Sequence, residues 1–161
     1  MAEVSAEVEV AAPLADVWDL YFNPESWRSW VDGFARVTAS DGYPRRGGSL
    51  SWESTPAGRG RVSERVLEHQ PRRLHRVAYT DPGSAGELET SFEMVPAGDH
   101  IRRTRVVQML RYELQQAGPF AAVTERLFIR SQMRRSLQRS LGGLMAEAAE
   151  AAEAKQVPAT D

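Results

Sequence analysis

Between Pro119 and Pro158 the chain carries no proline, and apolar residues recur at positions 120, 123, 127, 133, 137, 141 and 144. That spacing predicts one long amphipathic helix, because residues three and four apart share a helical face. Arg130 and Ser131 interrupt its stripe. Gly142-Gly143 weakens it by about 1 kcal/mol per glycine relative to alanine, so a bend is expected there. Past Met145 an Ala/Glu repeat favours helix but offers little to bury, and residues 156–161 are expected to form a disordered tail.

What precedes this helix is a series of short β-type runs divided by turn residues, the pattern of an antiparallel meander rather than of alternating strand and helix. Val4, Ala6, Val8 and Val10 alternate with Ser5, Glu7 and Glu9, which reads as a half-buried first strand. Pro13 then stands where a helix begins, and Leu14, Val17, Trp18 and Tyr21 follow at helical spacing until Asn23-Pro24 stops the run. Glu25 to Val31, with Trp27 and Trp30 three apart, suits a second short helix. Six further strands are expected, approximately over Ala35–Ser40, Ser49–Ser54, Arg61–His69, Leu74–Thr80, Glu87–Val95 and Ile101–Tyr112. Turns rich in Gly, Pro and Asp divide them, such as Asp81-Pro82-Gly83. The expected class is therefore α+β: a curved antiparallel seven-stranded sheet, two short helices after strand one, and a long C-terminal helix plugging the concave side. A single domain over residues 1–155 accounts for the chain.

The 20 basic and 22 acidic residues give a formal net charge of -2, which argues against a nucleic-acid partner. The absence of cysteine excludes disulfides, thiolate nucleophiles and Cys-ligated metals. The first residues lack the basic start and apolar run of a signal peptide, and no segment reads as a membrane span, so a cytoplasmic location is expected without integral membrane association. No His/Asp/Glu spacing matches a metal site and no Gly-rich loop matches a phosphate cradle; neither metal nor cofactor is expected.

The opening Val8-Glu9-Val10-Ala11-Ala12-Pro13, then Val17-Trp18, Trp27, Trp30, Gly47-Gly48, and Val66 followed by Gln70-Pro71-Arg72-Arg73-Leu74, resemble the START-like helix-grip (SRPBCC) superfamily. The nearest likeness within it is to the polyketide cyclase/dehydrase and lipid-transport group, and it extends from Val4 to about Met145. The resemblance implies a helix-grip fold with an internal cup; members bind sterols, lipids, plant hormones or polyketides, and only some are catalysts. In the aromatase/cyclases of that group, the strand matching Arg61–His69 supplies a pocket arginine and the first-helix region a pocket tyrosine. Here His69 falls at the arginine and Phe34 near the tyrosine, departures that count against a cyclase.

Candidate site residues follow from alternation. Leu88, Thr90, Phe92 and Met94 share one face of their strand and are expected to point into the cup. On the preceding long strand Arg61, Ser63, Arg65, Leu67 and His69 alternate with Val62, Glu64, Val66 and Glu68, and neither face is cleanly apolar. Arg65 is a candidate cationic partner for a ligand oxygen; pairing with Glu53 or Glu64 is the plainer explanation. His69 is the histidine whose alternation points inward, and Arg65 and His69 are the candidate catalytic groups. Trp27, Trp30 and Trp52 can stack on a planar ligand or cap the core, and Tyr79 offers a phenol. Phe120, Thr124, Leu127, Phe128 and Met133 are expected to form the helix wall of the cavity.

The leading expectation is a protein that binds a small hydrophobic molecule, lipid-, aromatic- or polyketide-like, as a monomer or homodimer. A cyclase/dehydrase-type enzyme and a non-catalytic interaction module with a filled core are the two rivals.

Overall fold

A computed structural model describes residues 1–96, 98, 102–115 and 123–156. Its seven strands are β1 (Ala2–Val10), β2 (Phe34–Asp41), β3 (Ser49–Ser54), β4 (Arg61–Gln70), β5 (Leu74–Thr80), β6 (Ser84–Val95) and β7 (Arg103–Leu114). Helix α1 spans Leu14–Tyr21, a 3-10 turn Pro24–Ser26 leads into α2 (Trp27–Trp30), and α3 runs Val123–Gln156. The strands form one open antiparallel sheet in the order β1-β7-β6-β5-β4-β3-β2, as a meander must when its first strand returns to pair with its last. The long helix lies against β1, α1 and α2, and the expected α+β helix-grip architecture is the one observed.

Period-two alternation decides which side chains reach the interior. On β7, Thr104, Val106, Gln108, Leu110 and Tyr112 are all buried. The register places them beside β6 so that Thr90 faces Gln108, Leu88 faces Leu110 and Phe92 faces Val106. On the outer face, ion pairs such as Arg111–Glu3 at 3.0 Å and Arg76–Glu68 at 3.3 Å cover a solvated surface. They are exposed pairs of small energetic weight.

The β4–β5 pairing jumps between Val66–Val77 and Glu68–Arg76. Such a bulge sets two residues against one and switches the inward face of the strand. Before it Val62, Glu64 and Val66 point inward; after it His69 does, opposite His75. The expectation that Arg65, Leu67 and His69 share one face is therefore corrected. Arg65 is exposed on the outer face and Leu67 sits at the bulge, half-buried. At the far end of β6, Met94 is 70% exposed rather than inward.

Along α3 the buried residues are Leu137, Ser140, Leu141, Leu144 and Ala148, three to four apart as one helical face requires. The first turns are outside that contact: Val123, Leu127 and Phe128 are all well exposed. The Ala/Glu stretch remains helical to Gln156, with Ala148 buried. Among the described residues no helix is long and apolar enough to cross a membrane.

Candidate ligand-binding site

Between the concave face of the sheet, α2 and α3 lies a cavity of about 110 Å³. Leu50, Trp52, Val77 and Leu88 supply its apolar sheet wall, Trp27, Trp30 and Phe34 one end, and Leu137 the helix side. A smaller lobe of about 50 Å³ adjoins it, sharing Arg59, Glu64, Leu88, Ser136 and Leu137 and adding Tyr79 and Met133.

Into this apolar frame the sheet register sets a single polar row. His75 on β5 faces Thr90 on β6, which faces Gln108 on β7, and directly opposed side chains in antiparallel strands stand about 5 Å apart. All three are at least 95% buried and line the cavity, with His75 3%, Thr90 1% and Gln108 4% exposed. From α1, the Tyr21 hydroxyl meets Thr90 Oγ1 at 2.9 Å, and Gln108 Nε2 donates to Tyr21 Oη at 3.2 Å. Burial pushes the Tyr21 phenol up to about 12, against the opposing effect of its Thr90 and Gln108 hydrogen bonds.

His75 Nδ1 lies 3.0 Å from His69 Nδ1, so one of the two must carry the proton and the other accept. Burial, reinforced by the His69 charge, lowers His75 to about 3 and holds it neutral near pH 7. Rings of Phe22 and Tyr43 pack edge-on against it at 4.8 and 5.5 Å. Its Nε2 atom and Gln108 Oε1 are both buried without a hydrogen-bond partner. Buried polar atoms in folded proteins are nearly always paired, so two unpaired atoms on residues that line one cavity point to it as a place where something else completes them.

Glu64 is the third polar feature. Its Oε1 accepts from Trp52 Nε1 at 3.0 Å, and it lines both lobes. Burial raises its carboxyl pKa, the Trp52 hydrogen bond and the Arg59 charge acting the other way. Arg59 itself is tied away from Glu64 by Asp81, at 2.7 Å from Nε and 2.6 Å from Nη2, and lies over the Tyr79 ring at 4.8 Å. Asp81 in turn accepts from Gly83 N and Ser84 N at 2.9 and 2.7 Å, so the β5–β6 turn fixes the guanidinium.

The helix side is closed by a clasp. Asp32, just after α2, accepts from Arg139 Nε and Nη2 at 2.9 Å each and from Ser136 Oγ at 2.7 Å. The Asp32 amide also donates to Ser140 Oγ at 2.9 Å. The Arg139 guanidinium holds the Asp32 carboxyl below its ordinary value. Among the described residues no group of three or more His, Asp or Glu side chains is arranged to hold a metal ion.

The sequence model of the family described as Polyketide cyclase / dehydrase and lipid transport matches residues 1–149. The chain belongs to this family. Solved structures agree in fold. The Zhui aromatase/cyclase from Streptomyces sp. R1128 superposes with a TM-score of 0.76 at 18% identity, over 96% of this chain and 98% of that one. TTHA0849 from Thermus thermophilus gives 0.67 at 23% identity, over 93% and 99%. CV1439 from Chromobacterium violaceum gives 0.61 at 18% identity, over 91% and 96%. No curated protein matches the sequence.

Within this family frame the expected site residues divide. Trp27, Trp30, Phe34, Trp52, Leu88 and Thr90 line the main cavity, and Tyr79 and Met133 the adjoining lobe. Phe92 is buried one row further along, stacked edge-on against Trp18 and Tyr21 at 4.9 and 5.2 Å. His69 is inward but sits behind His75, between the Trp18 and Phe22 rings. Arg65 and Leu67 lie away from the cavity for the reason the bulge supplies. Thr124, Leu127 and Phe128 are exposed, so α3 contributes its wall from Met133, Ser136, Leu137 and Ser140 instead. Phe120 lies outside the described residues.

Sequence reasoning passed over Tyr21, Asp32, Tyr43, Arg59, Glu64, Gln108, Ser136 and Ser140, and weighed His75 as an acid-base group only to set it aside among Arg72, Arg73 and Arg76. For three of them the signal was present: Glu64 between Val62 and Val66, His75 two before Val77, and Gln108 between Val106 and Leu110 are each a lone polar residue on an apolar alternation.

Proposed function

We propose that this protein binds a small, largely apolar molecule in the cavity between its sheet and α3. One observation carries the reading: an aromatic-lined cavity whose wall holds two buried polar atoms with no partner in the chain. A filled core would leave no such space, and a ligand that paired these atoms would relieve a cost of about 1–3 kcal/mol for each. Family membership supports the same reading.

Native mass spectrometry of the purified full chain tests it, by comparing gentle with denaturing ionisation. A bound small molecule released on denaturation is the expected result. A protein that arrives empty and also fails to enhance the fluorescence of an apolar dye would favour the interaction-module reading.

A second reading, catalysis of the cyclase/dehydrase type, is favoured by the Glu64 carboxyl, desolvated and facing the cavity. Such a group can exchange a proton with a carbon next to a carbonyl. Deuterium uptake at the α-carbons of cyclohexanone in heavy water, faster with this protein than with its Glu64→Gln variant, is the outcome that reading requires; equal rates dismiss it.

A further inference from the structure

We propose that the cavity selects a ring-sized molecule carrying a hydroxyl group, and that the Gln108 side chain with the Tyr21–Thr90 hydroxyl pair reads that hydroxyl. This rests on the ligand-binding reading above and narrows its ligand class.

The argument is a count of donors and acceptors. Tyr21 Oη and Thr90 Oγ1 are 2.9 Å apart, and Gln108 Nε2 reaches both, at 3.2 and 3.4 Å. Each hydroxyl brings one proton, and the contact between them uses one. The amide supplies protons to both oxygens and takes none from them. One hydroxyl proton is therefore left over in the cluster, while Gln108 Oε1 is left without a donor. A spare donor beside a spare acceptor is the complement of an oxygen that both accepts and donates.

An alcohol or phenol meets both demands with one atom. A ketone offers only lone pairs and would leave Gln108 Oε1 unpaired. A carboxylate would set negative charge against that same carbonyl in a cavity that already holds Glu64. Pairing is worth most where water is excluded, and Gln108 and Thr90 are 4% and 1% exposed. His75 Nε2, next along the row and also unpaired, extends the polar end beyond Thr90.

Size gives the rest of the class. An engineered apolar cavity of about 150 Å³ accommodates benzene, and the main chamber here is about 110 Å³. With the adjoining lobe of about 50 Å³, the space reaches the scale of one six-membered ring with a small substituent. Trp30 and Leu88 face the ring and the polar row its hydroxyl.

The test compares phenol with toluene, which share a shape and differ in the hydroxyl, by titration calorimetry on the full chain. Water holds phenol more strongly than toluene, so a preference for phenol has to come from hydrogen bonds in the cavity. The expected result is phenol binding at least about tenfold tighter, as completing one buried hydrogen bond implies. Gln108→Leu then collapses the ratio toward one, and Thr90→Val, isosteric in shape, lowers it in the same direction; near-ultraviolet circular dichroism verifies that each variant is folded. Equal affinities for the two probes, or a phenol preference that survives Gln108→Leu in a folded protein, overturn the hydroxyl assignment and leave the binding reading standing. Failure of both probes to bind the unmodified protein at millimolar concentration overturns the ring-sized hydroxyl assignment, while the binding reading stands or falls by the native mass spectrum and the apolar dye.

Discussion

His75 shows how one buried side chain ties the site to the stability of the whole domain. Its folded pKa of about 3 lies below the ordinary 6.5 because burial, and then the His69 charge, disfavours the imidazolium. The unfolded chain therefore binds a proton at this position that the folded chain does not, over the window from about 6.5 down to about 3. Stability contributed by neutral His75 is complete above that window and falls as the pH drops through it. At pH 4.5 the loss from this one group is about 2–3 kcal/mol. Glu64 acts in the opposite sense. Its folded pKa is raised, so its contribution is present at low pH and lost as the pH rises through the folded value. Comparing a variant with its parent separates the two. Urea unfolding at pH 7.5 and 4.5 should show His75→Gln losing about 2–3 kcal/mol less than the unmodified protein between those pH values. Identical losses would mean that His75 takes up its proton in the fold over the same pH range as in the unfolded chain.

At the scale of elements, two adjacent glycines that look alike in sequence do different things. A Cβ on Gly143 would fall 2.9 Å from Trp30 Cα and 3.0 Å from Trp30 O, whereas one on Gly142 meets nothing within 4 Å. Gly143 thus lets α3 approach the backbone of α2, the side of the cavity that Trp30 walls. Gly143→Ala is expected to lower stability by about 1–2 kcal/mol, overpacking outweighing the gain in helix propensity. Gly142→Ala should raise it by about 0.5–1 kcal/mol. Thermal melts of the two variants check the pair, and a shared direction would refute the close approach.

The Asp32 clasp joins the same two helices. Asp32→Ala removes the Arg139 and Ser136 contacts, and because Arg139 is largely exposed its expected cost is only about 0.5–1 kcal/mol. The Asp32 pKa is lowered, so this contribution is present above the ordinary carboxylate range and is lost as the pH falls through the folded value. A stability difference between parent and variant that persists unchanged at pH 2 would contradict the assignment.

Element order and strand number were legible because alternation and turn residues carry them locally. The orientation of Arg65 and His69 was not, because a bulge leaves no mark on the alternation of one strand and exists only in the pairing of β4 with β5. The exposure of Leu127 and Phe128 was hidden for a similar reason: an apolar stripe on α3 says which residues could face a sheet, not how far along the helix the sheet extends. The two glycines read only as weak helix formers until the backbone they approach was in view. Gln108 and His75 were readable as polar breaks in apolar runs, but nothing local announces that they stand in one row with Thr90. That row is a property of register.

For the molecule as a whole, the cavity is where most of the fold meets: β3 to β7, the α2 segment and α3 all contribute to its wall. A ligand there contacts elements far apart in sequence, so it binds the folded chain and has no equivalent site in the unfolded one. Mass action then converts occupancy into global stability, about 2.7 kcal/mol at a hundredfold excess over the dissociation constant. For a chain of 161 residues that corresponds to a rise of about 5–10 °C in Tm. The increment should grow with the logarithm of ligand concentration, and Gln108→Leu should reduce it for phenol more than for toluene, because only the phenol hydroxyl depends on that carbonyl. A Tm unaffected by either probe would mean that neither binds the folded chain in preference to the unfolded one. A dependence on concentration that is shared by Arg65→Ala but altered by Gln108→Leu would instead locate the binding on the inner face, where the bulge in β4 sends Glu64 and His69 and from which it turns Arg65 away.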